Sequence, residues 1–516
     1  MTANSRIEKT QYNFIYSLIN NIMVTILGFV TRSIFVSSLG TTYLGLNGLF
    51  TNVLSLLSLA ELGIGSAITF SLYKPIAEND SEKIKSLMGL YKKAYQMIGW
   101  IIFLLGCAVI PVLKYIVKFD SEIKINYYLI YFMFLINSVM SYWFFAYRSV
   151  IIYANQEGYI TTKVETLFNI LSSLLQFIVI LLWKNYYLYL ILPIILNVIK
   201  NIIISKIAGK KYPIINEKDI LPLRKEERTG IFENVFALSL FRISGVVYGA
   251  TDNIIISTWI GTSIVGIVSN YTMIIQLVTS YVSMFFQSMY ASIGNLNASE
   301  TREYKFVVFR RLQLLNFWIY CYCTICLGCF LNPCIKIWLG SQYCLQNSTV
   351  ILLSMVFLVP GLNNVINIYK DACGLFKEVQ FRALATAVLN LLVSVVLVNI
   401  IGLNGVFLGT IVAYLTTIYV VDPRVVFKKV FAERVSLYYW DLVKKMGLFI
   451  LMFFVFFHLV AQINIENWIE LFLVYFIVSI LTNAILFLIY RRTKEFEYLI
   501  SILKNTLQRV KKIYKN

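Results

Sequence analysis

The sequence predicts an all-α integral membrane protein of about fourteen transmembrane helices, with two six-helix lobes followed by two C-terminal helices. Three observations lead to this class. Hydrophobic residues make up 59% of the chain and charged residues 14%, against about 45–50% and about 25% in soluble proteins. Apolar runs long enough to cross a bilayer recur from one end to the other. Lys and Arg crowd into every second connection between those runs.

A span needs about 20 mostly apolar residues. Six such runs fall at 12–39, 44–72, 94–117, 127–154, 164–183 and 187–208, the last two divided only by Lys184–Tyr186. Six more fall at 233–259, 264–290, 312–331, 349–372, 382–401 and 403–421, and a final pair at 447–462 and 467–490. The first run follows a polar Met1–Gln11 and reaches from Tyr12 to Leu39. It is too long for a signal-peptide core and precedes no small-x-small site, so it reads as a spanning helix.

The charges test this division. With the N-terminus placed in the cytoplasm, the cytoplasmic connections are 73–93, 155–163, 209–232, 291–311, 373–381, 422–446 and 491–516. They carry Lys83, Lys85, Lys92 and Lys93, then Lys210, Lys211, Arg224, Lys225 and Arg228. Lys428, Lys429, Lys444, Lys445, Arg491, Arg492, Lys511 and Lys512 follow. The opposite connections hold Lys118, Lys124 and Lys336, with Lys114 and Lys184 at helix ends. A wrong count would scramble the alternation, so both termini are expected in the cytoplasm. The net charge of +19, from 45 Lys+Arg and 26 Asp+Glu, is then a topology signal and not a nucleic-acid footprint. The basic tail 491–516 is suited to anionic membrane lipids.

An internal repeat organises the spans. Ser33-Ile-Phe-Val-Ser-Ser-Leu-Gly40 matches Ile254-Ile-Ile-Ser-Thr-Trp-Ile-Gly261, and each glycine is followed by Thr. Gly45 and Gly266 stand five residues further on, and Asn169 pairs with Asn390, all at an offset of 221. An offset of six helices preserves orientation, so the halves are parallel repeats that rock for alternating access. The expected division is a lobe at 1–208, a basic linker at 209–232, and a second lobe at 233–421. A basic loop at 422–446, accessory helices at 447–490 and a basic tail at 491–516 complete the chain.

Several chemistries are missing. No Walker A motif is present, no extracytoplasmic connection carries catalytic acids, and no intramembrane Ser/His pair or zinc motif occurs. Cys323-x-x-Cys326-x-x-Cys329 resembles the start of a ferredoxin ligand run, but Pro333 precedes Cys334 instead of following it. Inside an apolar span these thiols read as small hydrophobes. No metal and no cofactor is expected. The chain reads as a carrier and not an enzyme.

Charged groups within spans cost about 2.5–3.5 kcal/mol each on insertion scales, so they face a cavity or a partner. Here they are Arg32, Glu61, Arg148, Lys200, Arg242, Asp252, Lys370 and Asp371, five basic and three acidic. The bias suits an anionic cargo. Arg32 and Arg242 lie deepest. Glu61 is expected to pair with Arg32 or to carry a coupling proton or cation. Asp252 is expected to reach Arg242 through a neighbouring helix, and Asp371 is a further coupling or ion-pair candidate. Pro360 should kink or break its span by removing a helical donor, and with Asn363 and Asn364 it marks a hinge, a sugar contact or an ordinary packing kink.

The stretch Thr31-Arg-Ser-Ile…Leu39-Gly-Thr-Thr-Tyr-Leu-Gly45, followed by Ala60-Glu-Leu-Gly-Ile-Gly65, resembles the N-terminal signature of Wzx-type polysaccharide repeat-unit flippases. These belong to the multidrug/oligosaccharidyl-lipid/polysaccharide exporter superfamily. Tyr147-Arg-Ser…Ala154-Asn-Gln also fits. So do Asp252-Asn-Ile-Ile-Ile…Val265-Gly-Ile-Val-Ser-Asn-Tyr271, and Ala387-Val-Leu-Asn390 with Gly402-Leu-Asn-Gly405. The resemblance implies transfer of an undecaprenyl-diphosphate-linked oligosaccharide across the bacterial cytoplasmic membrane for capsule, exopolysaccharide or O-antigen assembly. Its implied partners are that lipid-linked oligosaccharide, membrane lipids and other polysaccharide-assembly proteins. The diphosphate would meet Arg32 and Arg242, since Arg offers phosphate planar, paired donors; Arg148 and Lys370 are further candidates that lie close enough to inner helix ends to snorkel instead. A lipid II flippase shares this chemistry. A cation-coupled drug exporter would favour carboxylates over Arg, and a membrane glycan polymerase would need the missing acids.

Overall fold

The computed structural model describes residues 3–61, 64–118, 126–217, 250–287, 289–375 and 377–501. The protein is an all-α membrane protein, and no strand occurs among the described residues. Eleven described helices are long and apolar enough to cross a membrane, or twelve if a bent pair is one span. The two remaining sequence spans account for the difference from fourteen. The second is interrupted, and the seventh lies mostly outside the described residues, with 250–259 helical. Arg242 also lies outside them.

The chain divides into two compact units, Met1–Gly266 and Ile267–Asn516. In the first unit the helices are α1 (Ala3–Leu39), α2 (Thr41–Leu57), α3 (Ile64–Glu78), α4 (Ser81–Val109), α5 (Tyr127–Trp143), α6 (Ser149–Ala154), α7 (Gly158–Trp183) and α8 (Tyr186–Lys211). Polar caps fix several starts. Asp80 accepts from Lys83 N at 3.0 Å and Asn126 from Leu129 N at 3.1 Å. Asn185 accepts from Tyr187 N and Leu188 N. Each carboxylate or amide oxygen satisfies amide donors that the first turn leaves unpaired.

Two spans are broken rather than straight. α2 gives way to a 3₁₀ turn at Ser58–Glu61 before α3 begins. α5 ends at Trp143, and Phe145 just beyond it adopts the left-handed conformation at φ 57. The chain resumes through Ala146–Ala154 at 45° to α5.

The 221-residue repeat is visible in the backbone. Gly40 and Gly261 both have positive φ, 84 and 152, and each opens onto a helix. The second of these is α9 (Thr262–Gln287). The starts of α2 and α9 touch within the first unit. Thr42 Oγ1 and Ser263 Oγ, themselves 221 residues apart, lie 2.9 Å from one another. A Cβ on Gly45 would strike the Thr262 carbonyl, and one on Gly266 would strike the Thr41 carbonyl. The unit takes in 250–266 because these contacts anchor it. Thr262 N also donates to Lys118 O at 3.0 Å, and Ser257 Oγ to Ile116 O at 2.9 Å.

The second unit continues with α10 (Tyr290–Ser299), α11 (Arg302–Trp338), α12 (Asn347–Leu362), α13 (Asn364–Ala372), α14 (Gln380–Ile401), α15 (Leu403–Thr416), α16 (Ile418–Val426), α17 (Ser436–Ala461) and α18 (Trp468–Tyr490). Much of the connection 422–446, expected as a loop, is helical. The Leu403–Phe431 span ends in a π turn at Phe427–Phe431, and α17 begins five residues later. Phe427, Phe431, Phe309 and Tyr369 stack on one another there, with ring centroids 5.0–5.8 Å apart. This buried aromatic contact holds the helix beyond the point where hydropathy falls.

α14 and α15 pack backbone to backbone. Gly405 and Gly409 are four residues apart and so share one helical face. A Cβ on Gly405 would collide with the Leu397 backbone, and one on Gly409 would lie 2.7 Å from Ser394 N. Small residues four apart allow such approach in a bilayer. Gly409→Leu should destabilise the protein by about 1–3 kcal/mol or more through overpacking. The expected result is a lower melting midpoint of the purified protein, with Gly447→Leu, where a Cβ meets nothing within 4 Å, as the silent comparison.

Candidate functional site

Within the first unit α1 and α7 run side by side, and each carries a polar face. Asn169, Ser172, Ser173 and Gln176 recur on α7 at three- and four-residue spacing, as do Gly28, Thr31, Arg32 and Phe35 on α1. With Asn47 of α2 and Tyr189 of α8 they line a cavity of about 440 Å³. A second hollow of about 220 Å³ shares Asn47, Gln176 and Tyr189 and extends to Thr51, Asn137 and Pro193.

The walls are held by internal bonds. Tyr186 donates its hydroxyl to Asn47 Oδ1. Gln176 Nε2 donates to Tyr189 O at 3.2 Å. Phe35 meets the Tyr189 ring edge-on, with centroids 5.0 Å apart. Asn137 Oδ1 is buried with no hydrogen-bond partner, and such an acceptor is costly unless a water or a ligand satisfies it. The hollow thus combines a guanidinium, several amides and hydroxyls, and aromatic faces. A guanidinium pairs with phosphate oxygens. Amides that both donate and accept match sugar hydroxyls, and aromatic rings stack on sugar faces.

The second unit closes the equivalent place. Asn390, the repeat partner of Asn169, donates to Thr410 Oγ1 at 2.7 Å. Small residues bring α14 and α15 together, with Gly405 against the Leu397 backbone and Gly409 against Ser394. The α7–α8 seam carries Gln176 and Tyr189, which line the cavity of the first unit. Asn169 therefore faces a cavity where Asn390 faces a neighbour.

The other sequence candidates occupy separate places. Glu61 accepts hydrogen bonds from Tyr95 and Tyr142, at 2.8 and 2.6 Å, and not from Arg32. Arg148 donates to Asn216 Oδ1 at 3.0 Å and lies over the Phe145 ring. The expected pairing of Asp252 with Arg242 falls outside the described residues. Lys370 is buried and lies 3.5 Å from Asp371 and 3.6 Å from Asp422. Asp371 also reaches the Tyr290 phenol of α10 as a hydrogen-bond partner.

Asp422 and Arg382 were not singled out by the sequence. Asp422 is fully buried and accepts from Arg382 Nη1 at 2.5 Å. Arg382 sits in the first turn of α14 and Asp422 in α16. Both fall at the edges of apolar runs, where a charge reads as an ordinary helix end.

Pro360 lies inside α12, and the span passes from α12 to α13 through a one-residue turn at Asn363. Side chains from α11 take up the freed carbonyls. Asn316 Nδ2 donates to Gly361 O at 2.9 Å, and Gln313 Nε2 to Leu362 O at 3.3 Å. Gly361 lies flat on the Tyr320 ring, where any Cβ would collide. The Asn363 side chain is fully buried, and neither its donor nor its acceptor has a partner.

The family profile described as "Polysaccharide biosynthesis protein" matches residues 11–291. No curated protein sequence matches the chain. Among solved structures, a lipid II flippase MurJ in an inward closed conformation aligns over 93% of this chain and all of its own, with a TM-score of 0.66 at 14% identity. An inward-facing multidrug resistance MATE family transporter of the MOP superfamily aligns over 79% of this chain and 96% of its own, with a TM-score of 0.60 at 15% identity. A Vibrio cholerae MATE transporter aligns over 83% of this chain and all of its own, with a TM-score of 0.54 at 13% identity. At these identities the likeness is one of fold.

Proposed function

Since this chain belongs to the polysaccharide biosynthesis protein family, we propose that it is a flippase for an undecaprenyl-diphosphate-linked oligosaccharide repeat unit. It moves that unit from the inner to the outer leaflet of the bacterial cytoplasmic membrane, with both termini in the cytoplasm. The observation that carries the reading is the Arg32 cavity. Its guanidinium sits among Asn47, Asn169, Ser172, Ser173 and Gln176, a set that suits an anionic head group with sugars attached.

The mechanism follows from charge and burial. Arg32 and Arg242 bind the diphosphate, with Arg148 nearer the cytoplasmic face. Lys370 is neutralised by Asp422 and contributes less. The two repeats rock in alternating access while the polyprenyl tail stays in lipid. The turn at Asn363 is a hinge, because side chains of α11 bond to the Gly361 and Leu362 carbonyls there. Glu61 between two tyrosines is a coupling site for a proton or cation. No bond is made or broken in the cargo, so the protein is a carrier and not an enzyme. Its product serves capsule, exopolysaccharide or O-antigen assembly.

The test is mass spectrometry of polyprenyl-linked intermediates in cells depleted of the protein. A complete lipid-diphosphate oligosaccharide should accumulate on the cytoplasmic leaflet. Accumulation of lipid II would move the assignment to cell-wall precursor transport. Unchanged lipid-linked glycans, after verified depletion and with no second flippase, would overturn it.

A further inference from the structure

The second unit contains a cavity of about 470 Å³ where α11, the start of α17 and the end of α18 meet. It is unconnected with the sequence candidates. Its rim carries Arg310, Lys444 and Lys445, three cations against the two carboxylates Asp441 and Glu495. Arg310 pairs with Glu495 at 2.7 Å and Lys445 with Asp441 at 2.6 Å, which leaves a net positive rim. Lys444 is exposed and lies over the Trp440 ring.

Its floor is polar and unsatisfied. Gln313 and Tyr438 are each 3% exposed and line the cavity. Gln313 Oε1 and the Tyr438 hydroxyl have no hydrogen-bond partner. Such groups are seldom left unpaired in a folded interior. The first turn of α17, Ser436 to Tyr438, also opens onto the cavity, and no side chain caps it. A helix start favours an anion through its dipole.

The charge alternation puts these helix ends on the cytoplasmic side, at head-group depth. Exposed Leu437, Trp440 and Val443 on α17 face away from the core, at 50%, 66% and 58% exposure. An exposed Trp beside Lys is the usual composition of an interfacial belt.

We propose that this cavity binds a polyol phosphate: the phosphate meets Lys444, Arg310 and the start of α17, and a hydroxyl reaches Gln313 Oε1 and the Tyr438 hydroxyl. A phosphatidylglycerol head group in the inner leaflet and a soluble polyol phosphate share this chemistry. A choline head group has no hydroxyl for the floor and adds a cation to a positive rim. The site is independent of the cargo, because none of its residues belongs to the Arg32 cavity.

The full-length protein is purified in detergent and titrated with short-chain phosphatidylglycerol, short-chain phosphatidylcholine and glycerol 3-phosphate, with melting midpoint and native mass spectrometry as readouts. Phosphatidylglycerol should raise the midpoint and remain bound, and phosphatidylcholine should do neither. Lys444→Ala should weaken phosphatidylglycerol binding about tenfold, as expected for a lost charge contact. Tyr438→Phe, which removes one hydroxyl and keeps the ring, should weaken it by a smaller factor. Glycerol 3-phosphate binding as tightly as the lipid would support the chemistry and assign it to a soluble ligand. Equal binding of the choline and glycerol lipids, or binding unmoved by both substitutions in folded protein, would overturn the proposal.

Discussion

Arg32→Ala should reduce polymer export by about 30-fold or more at unchanged protein level. Removing one partner of a buried, hydrogen-bonded charge pair typically costs 2–5 kcal/mol, which is about 30-fold at the lower end. Arg32 lines its cavity beside the amides of Asn47, Asn169 and Gln176. Arg32→Lys should keep the charge and lose the paired donors, and so retain an intermediate rate. Asn169→Leu should act on the glycan side, impairing export less severely. The measurement is surface polysaccharide together with cytoplasmic-leaflet intermediate, with membrane protein quantified in the same cells. Full export by Arg32→Ala at normal abundance would exclude Arg32 from cargo binding.

Asp422→Ala should have the second large effect, on stability rather than on transport. Asp422 is fully buried, and its carboxylate faces Arg382 at 2.5 Å and Lys370 at 3.6 Å. Alanine would remove the carboxylate that faces Arg382 and leave Lys370 with Asp371 alone. Breaking a buried pair by removing one partner costs about 3–5 kcal/mol. The expected outcome is a marked fall in membrane yield and in the melting midpoint of what is purified. Asp422→Leu combined with Arg382→Met removes the anion and one cation together, and should recover part of the loss. If the double variant were as unstable as Asp422→Ala alone, the pair would not be the cause. Transport per folded molecule should change little in the rescued variant, in contrast to Arg32→Ala.

The sequence made the helices legible because hydropathy and charge alternation act over whole spans. The repeat was legible at Gly40 and Gly261, whose positive φ is a backbone demand that few other residues meet. The limits of helices were less so. Hydropathy falls after residue 421, but the Phe309–Phe427–Phe431 contact carries the helix to Phe431. The break in the second span, at Ser58–Glu61, had no proline to announce it.

Among site residues, Arg32 was legible as a deep charge, and Pro360 as a missing donor. The residues around Arg32 were not. Asn47, Gln176 and Tyr189 become a cavity wall only when α2, α7 and α8 are brought together, and nothing in their own spacing says so. The partner of Glu61 was misassigned for the same reason. Proximity in the chain offered Arg32, whereas the fold offers Tyr95 and Tyr142. A cheap signal existed for the cavity itself. Gly405 and Gly409 recur at four-residue spacing in the second half, the mark of a close helix pair, whereas α8 of the first half has one glycine, Gly209, near its end.

The contact between the starts of α2 and α9 says something about ancestry. Thr42 touches Ser263, its own counterpart, and Gly45 and Gly266 each admit the other half's threonine carbonyl. A position that meets its own equivalent is a self-complementary contact, the kind two identical chains make when they pair. A half-length ancestor joining a second copy of itself would have made this contact before any gene fusion. The fused chain retains it, although its two halves have since diverged into an open cavity and a closed one.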